Sequence, residues 1–130
     1  MNVFLAGSMA RRTQIEYMAM VMTEWVTTYQ DGGYNIATPI TIVSTWHDWY
    51  NDSKARLLQN VQELCEAHIL VVDTFAESTG GGYHYETGMA DLMGIKIYTV
   101  GPRIKYGYLS LYPNFEMYRD LHDYLFKGSR

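Results

Sequence analysis

The stretch Ile69-Leu70-Val71-Val72-Asp73 decides which fold the sequence predicts. Four consecutive apolar residues without polar alternation are typical of a strand that is buried on both faces, as the central strands of parallel sheets are. A loop rich in Ser, Thr and Gly follows over residues 74–82, and a helix is then predicted from about Tyr83 to Met93. The next apolar run, Ile95–Val100, is a second strand. Strand, helix and strand in this order form a crossover between parallel strands.

The remainder of the chain repeats this alternation. Two β-branched segments, Tyr34–Thr38 and Ile40–Thr45, are divided by Pro39 and form either one bent strand or a strand and a loop. The other predicted elements are a strand over Val3–Ala6, a helix from Arg11 to Tyr29 ended by Asp31-Gly32-Gly33, a helix from Ser53 to about Ala67, and a short strand or turn followed by a helix within Asn114–Lys127.

These elements predict an α/β fold. We expect one doubly wound domain over residues 1–130, of flavodoxin or Rossmann type, with a mostly parallel sheet of about five strands and helices on both faces. In such sheets, ligands bind outside the carboxyl ends of the strands. The ligand-binding edge of the sheet is therefore expected to contain four segments: Gly7–Arg12, Asp73–Gly82, Gly101–Arg103 and the residues after Thr45.

Composition excludes several classes of protein. The 130 residues carry a net charge of −4, which gives no basic footprint for duplex nucleic acid, and a single cysteine, Cys65, which excludes a disulfide framework. No apolar run approaches the length of a membrane span, and the first residues do not form a signal peptide, so we expect a cytoplasmic protein without a membrane partner. The histidines lack metal-ligand spacing; neither a metal nor a cofactor is expected.

The glycine-rich loop is the most informative segment for function. Gly80, Gly81 and Gly82 allow a backbone to approach a ligand closely, because no Cβ intervenes. Glu86 is expected in the first turn of the next helix, where the helix dipole favours an ionised carboxylate. The alternative is that Glu86 only stabilises its helix and that the glycines form a flexible turn.

The segment Ser78–Ala90 resembles the signature of the nucleoside 2-deoxyribosyltransferase superfamily, in which a Gly-rich loop leads to a G-x-x-x-E-x-G-x-A helix start. It is most similar to a small single-domain branch that includes nucleoside 5′-monophosphate N-glycosidases. Supporting elements of that branch are Leu5-Ala6-Gly7-Ser8, Val43-Ser44-Thr45-Trp46 and Val100-Gly101-Pro102-Arg103, so the resemblance covers about Val3 to Arg103.

The resemblance implies an enzyme that acts on the N-glycosidic bond of a nucleoside or nucleoside 5′-monophosphate. The carboxylate that matches Glu86 attacks C1′ and displaces the base, and a second base (transferase) or water (hydrolase) resolves the glycosyl-enzyme ester. The resemblance also implies a homo-oligomer with a shared active site. The alternative is a non-catalytic nucleotide-binding module that keeps the fold. A phosphoribohydrolase of the cytokinin type fits less well, because no Gly-Thr pair stands at the required spacing before Glu86.

Two positions depart from the family pattern. Asn60 stands where the family usually carries an Asp on the helix before the central strand. An asparagine cannot shuttle a proton at neutral pH, so either the enzyme uses Asn60 for positioning alone, or activity is reduced and the fold is kept for binding. Asn60 as a polar residue on an exposed helix face is a third possibility. Tyr83 replaces an Arg that is frequent in the glycine loop; it can stack on a base or bond a sugar hydroxyl, but it cannot neutralise a phosphate.

The other candidates each have a functional and a structural interpretation. His84 is either a hydrogen-bonding partner of Glu86 or the leaving base, or a helix-start histidine that contacts a neighbouring loop. Gly7, Ser8, Arg11 and Arg12 either cradle a 5′-phosphate or belong to a capped helix with two solvated arginines. Further substrate-binding candidates are the hydroxyls of Ser78 and Thr79, the backbone at Gly81 and Gly82, and Trp46 as a stacking cover for the base.

Overall fold

The computed structural model describes residues 1–32, 34–45, 53–76, 82–105 and 107–125. Short 3₁₀ turns occupy Met9–Arg11 and Tyr108–Leu111. The strands and helices are, in chain order, β1 (Asn2–Ala6), α1 (Arg12–Glu24), β2 (Val26–Asp31), β3 (Tyr34–Pro39), β4 (Thr41–Ile42), α2 (Ser53–Glu66), β5 (Ile69–Asp73), α3 (Gly82–Leu92), β6 (Lys96–Val100), β7 (Asn114–Phe115) and α4 (Tyr118–Asp123).

Five parallel strands form the main sheet in the order β4-β1-β5-β6-β7. The central strand is β5, and all five of its residues are buried. Its register pairs Val3 with Ile69 on one side and Ile69 with Lys96 on the other. The doubly wound α/β fold expected from the apolar run at 69–73 is confirmed.

Helices cover both faces of this sheet because the strand residues alternate between two clusters. Val3, Leu5 and Val71 point to the face covered by α1 and α4, and Phe4 and Leu70 point to the face covered by α2 and α3. The first cluster also contains Ile15, Met22 and Leu121, and the second contains Leu64 and Ala90. Packing on both faces explains why β5 has no polar alternation.

The helix predicted from Arg11 to Tyr29 is wrong at its C-terminal end. Helix α1 stops at Glu24, Trp25 is extended, and β2 pairs antiparallel with β3. The sequence Val26-Thr27-Thr28 is β-branched and favours a strand, and Gly32 adopts a positive φ of 58° at the turn between the two strands. Gly32, which was expected to end a helix, thus lies in the turn of a hairpin. The second segment at Pro39 contributes only β4 to the main sheet.

The other elements match the prediction to within a few residues: α2, β5, α3, β6, and the short strand and helix of the tail. Gly94 has a positive φ of 73°, as expected for a residue that closes α3. No helix among the described residues is long and apolar enough to cross a membrane.

The order of the strands identifies where a ligand crevice opens. From β1 the chain continues to β4 on one side and then, through α2, to β5 on the other side, so the strand order reverses between β1 and β5. Ligands of open α/β sheets bind outside the carboxyl ends of the strands at this reversal. Here those ends are Ala6 and Asp73.

Candidate functional site

Asn60 and Glu86 meet between α2 and α3, which pack against each other on one face of the sheet. The Asn60 Nδ2 donates a hydrogen bond to Glu86 Oε1 at 3.0 Å. Asn60 is only 6% exposed, and Leu64, one turn further along α2, is fully buried, so both lie on the inner face of this helix. Asn60 is therefore not a polar residue on an exposed face.

Glu86 lies one residue further into its helix than expected. Helix α3 begins at Gly82, so the first turn contains no acidic residue and Glu86 starts the second turn. The effect of the helix dipole declines beyond the first turn, so the Asn60 amide is the better-supported stabiliser of this carboxylate. A neutral donor stabilises an anion without neutralising it, whereas an arginine would cancel its charge. The pair therefore offers an oriented, half-buried anion.

A second polar cluster lies at the reversal of strand order. The buried carboxylate of Asp73 accepts hydrogen bonds from Arg11 Nε (3.3 Å) and Nη2 (3.2 Å) and from the Tyr118 hydroxyl (2.7 Å). Burial and the adjacent Asp73 carboxylate raise the pKa of Tyr118, so this hydroxyl remains a donor. The Arg11 guanidinium also stacks over Phe75 at 4.6 Å. Arg11 is thus held in an ion pair rather than solvated.

Gly7 and Ser8 have structural roles in this arrangement. A Cβ on Gly7 would come within 2.5 Å of Ile15 Cδ1 and 3.1 Å of Asp73 Cβ, so glycine allows close packing at this position. The buried Ser8 hydroxyl accepts a hydrogen bond from the Ala10 N–H at 3.3 Å and caps the 3₁₀ turn.

The structure does not bring His84 to Glu86. Successive helical residues are rotated by about 100°, so residues two apart point to nearly opposite sides of the helix. The His84 Nδ1 is hydrogen-bonded to the Tyr108 hydroxyl, whereas Glu86 faces α2. Tyr83 is 4% exposed and belongs to the core cluster under α3, which leaves little of its ring for stacking on a base.

A cavity of about 430 Å³ lies on the His84 side of α3. It lies between the residues that follow β5, the start of α3 and the segment that follows β6, and Glu86 is not among its described lining residues. The lining residues are Thr74, Ala76, Tyr83, His84, Pro102, Arg103, Ile104, Gly107, Tyr108 and Leu109.

Four candidates, Trp46, Ser78, Thr79 and Gly81, lie outside the described residues, and Gly82 is the first residue of α3. Two contacts were not expected from the sequence. Asp73 was placed only at the end of a strand, although a carboxylate at the carboxyl end of the central strand is itself a signal. The contact between Tyr108 and His84 had no signal, because 24 residues separate the two side chains.

Comparisons with known proteins support the fold. No family model and no curated protein sequence matches the chain. Among solved structures, the chain is similar to the structure of Clostridium botulinum CMP N-glycosidase, BcmB, with a TM-score of 0.54 and 20% sequence identity over 100% of both chains. At 20% sequence identity, this similarity shows that the two chains share a fold.

Proposed function

We propose that this protein cleaves the N-glycosidic bond of a nucleoside or nucleoside 5′-monophosphate, with Glu86 as the nucleophile and Asn60 as the residue that orients it. The single observation that carries the proposal is the hydrogen bond of 3.0 Å from Asn60 Nδ2 to Glu86 Oε1 between two packed helices. The resemblance of Ser78–Ala90 to the 2-deoxyribosyltransferase signature assigns the nucleophile to this carboxylate. The fold shared with a CMP N-glycosidase supports the same class of reaction.

The proposed reaction has two steps. The Glu86 carboxylate attacks C1′ as the C1′–N bond breaks, and the bonding electrons leave with the base nitrogen, which takes up a proton. The transition state resembles an oxocarbenium ion, so the carboxylate stabilises positive charge before it bonds. Water then attacks C1′, the ester oxygen leaves as the Glu86 carboxylate, and the proton from water goes to solvent. If a second base attacks instead of water, the same intermediate gives base exchange.

Asn60 contributes position rather than proton transfer, because an amide does not titrate at neutral pH. Its donated hydrogen bond restricts the rotation of the Glu86 side chain, so less freedom is lost on reaching the attacking geometry. We propose further that the protein is a homo-oligomer with a shared site, as the family resemblance implies; light scattering coupled to size exclusion tests this, and a monomer at working concentration contradicts it.

The test is the release of free base. The protein is incubated with ribo- and deoxynucleosides and their 5′-monophosphates, with and without an acceptor base, and products are separated by chromatography. Free base without acceptor identifies a hydrolase, and base exchange identifies a transferase. If nucleotides raise the melting temperature but stay intact, the chain is a binding module. Mass spectrometry of an acid-quenched sample detects the glycosyl ester on the peptide that contains Glu86.

A further inference from the structure

The outer face of α1 carries large apolar side chains that are open to solvent. Tyr17 is 59% exposed and Met20 is 54% exposed, whereas Ile15 and Met22, on the opposite side of the same helix, are buried in the core. Positions 13, 17, 20 and 24 are all exposed, and they follow one another at intervals of four, three and four residues. Such intervals place the four side chains in one stripe along the helix, and they are typical of a seam between two packed helices.

The charges of α1 oppose the dipole of the helix. The helix begins at Arg12 and ends at Glu24, with no acidic residue in its first turn and no basic residue in its last turn. A helix dipole favours the reverse arrangement, so both charges are unfavourable within a single chain. Arg12 donates to Glu16 at 2.9 Å, but no described residue bonds the carboxylate of Glu24. A partner with a cation near Glu24 and an anion near Arg12 compensates for both charges.

A second copy of α1 supplies both charges if the two helices run antiparallel. In that orientation, position 12 of one copy lies at the same end of the seam as position 24 of the other, and position 17 lies opposite position 20. We propose that the outer face of α1 is a dimer interface between two copies of this chain. Tyr17 then packs on Met20 of the second copy, a favourable contact between an aromatic ring and a thioether, and Arg12 pairs with Glu24 of the second copy. Each contact occurs twice, because the interface has twofold symmetry.

The charge pattern distinguishes an antiparallel copy from other occupants of this face. A parallel copy places Arg12 against Arg12 and Glu24 against Glu24, so like charges meet at both ends. A helix that lies on a lipid surface typically has Lys and Arg along its polar face. Here Glu16 and Glu24 are exposed beside the apolar stripe, and the chain carries a net charge of −4, which disfavours an anionic membrane.

The proposed interface is separate from the contact between Asn60 and Glu86. Helix α1 covers one face of the sheet, and that contact joins α2 to α3 on the other face. The apolar surface also continues beside the stripe, because Tyr17 lines a cavity of about 460 Å³ together with Phe75 and Met117, which are both exposed. The inference therefore does not depend on the proposed reaction or on a shared active site, and its test needs no assay of activity.

Sedimentation velocity and light scattering over a range of protein concentrations measure the association. We expect Met20→Glu to halve the mass of the wild-type oligomer and to weaken association by at least about a hundredfold, because two unpaired carboxylates would be buried against the Tyr17 rings. Leu92→Glu is the matched control. Leu92 is 86% exposed and lies on α3, so its replacement should leave the mass unchanged. A monomeric wild type, or the same mass for both variants, overturns the inference.

Reversing the charges tests the antiparallel register. Arg12→Glu and Glu24→Arg each place like charges opposite one another at both ends of the seam, so each variant alone should associate about tenfold more weakly than the wild type. In an equal mixture of the two variants, opposite charges meet again at both ends, and association should return to about the wild-type strength. Circular dichroism confirms that each variant is folded. A mixture that associates as weakly as the single variants, or single variants that associate as tightly as the wild type, overturns the inference.

Discussion

Replacing Asn60 by aspartate tests the geometry on which the proposed reaction depends. The substitution puts a second carboxyl where Nδ2 now lies, 3.0 Å from Glu86 Oε1. At an effective dielectric constant of about 20, two unit charges at 3.0 Å repel by about 5 kcal/mol. Glu86 is half-buried, so water screens part of this repulsion, and we take about half of it to remain. The remaining repulsion is equivalent to a rise of about two units in the pKa of one of the two carboxyls.

That rise makes the stability of Asn60→Asp depend on pH. In the unfolded chain both carboxyls titrate near about 4, whereas in the folded variant one retains its proton to about 6. The folded state then holds more protons in this window, so its extra stability is present below about 4 and is lost as the pH rises. Relative to wild type, the free energy of unfolding should fall by about 1.5 kcal/mol between about pH 5 and about pH 8.

The assay is urea unfolding of the variant and of the wild type at both pH values. Asn60→Leu is the matched control: it loses the same hydrogen bond, which costs about 1–3 kcal/mol, but brings no second carboxyl. Its deficit depends on pH only through the loss of one donor to the Glu86 carboxylate, so it should change less between the two pH values than that of Asn60→Asp, which adds charge repulsion to the same loss. If the two deficits change equally with pH, the two side chains are not in contact and the nucleophile is not held as described.

Three further predictions concern other positions. Glu86→Gln should leave the melting temperature nearly unchanged but lower base release by at least about a thousandfold, measured as kcat, because an amide cannot form the ester. Gly7→Ala should lower the free energy of unfolding by about 1–3 kcal/mol, because the new Cβ meets Ile15 and Asp73. Gly88→Ala has open space around its Cβ and should raise the free energy of unfolding by up to about 1 kcal/mol. The denaturant midpoints of the two variants should therefore move in opposite directions from the wild-type value. Tyr118→Phe should lower the free energy of unfolding by about 1–3 kcal/mol at neutral pH. Calorimetry should show a smaller difference between wild type and variant above about pH 10, because the wild-type hydroxyl ionises readily there only in the unfolded chain. A difference that does not change with pH contradicts the raised pKa of Tyr118.

The central part of the fold was predictable because its signals are local. The apolar run of β5 and the glycine that closes α3 are each contained within a few residues. Strand β2 was not predictable from periodicity, because Met22, Val26 and Tyr29 fit helical spacing while Val26-Thr27-Thr28 also has strand propensity. The choice between them was made by pairing with β3, which is a contact with residues further along the chain.

The candidate site was predictable in its residue types but not in its partners. Glu86 was indicated by the segment around it, and Asn60 by its offset from the central strand, but their contact joins residues 26 positions apart. For Arg11 the sequence left a phosphate contact and a solvated side chain both open, because its partner, the buried carboxylate of Asp73, lies 62 positions away. Burial increases the cost of an unpaired charge, so such long-range pairs override local expectation.

The geometry of α3 separates the contact between Asn60 and Glu86 from the contact between His84 and Tyr108. Glu86 faces α2, His84 faces the segment after β6, and the buried side chain of Tyr83 anchors the first turn between them. A rotation of α3 that improved one contact would withdraw the other, because both side chains belong to one rigid helix. The bond from Asn60 and the bond to Tyr108 therefore fix the same rotational setting from opposite sides. Breaking the Tyr108 contact should then change both the position of the His84 ring and the alignment of Glu86. We therefore expect the kcat of base release to be lower in Tyr108→Phe than in Tyr112→Phe. Equal kcat values in the two variants would show that the two sides of α3 act independently.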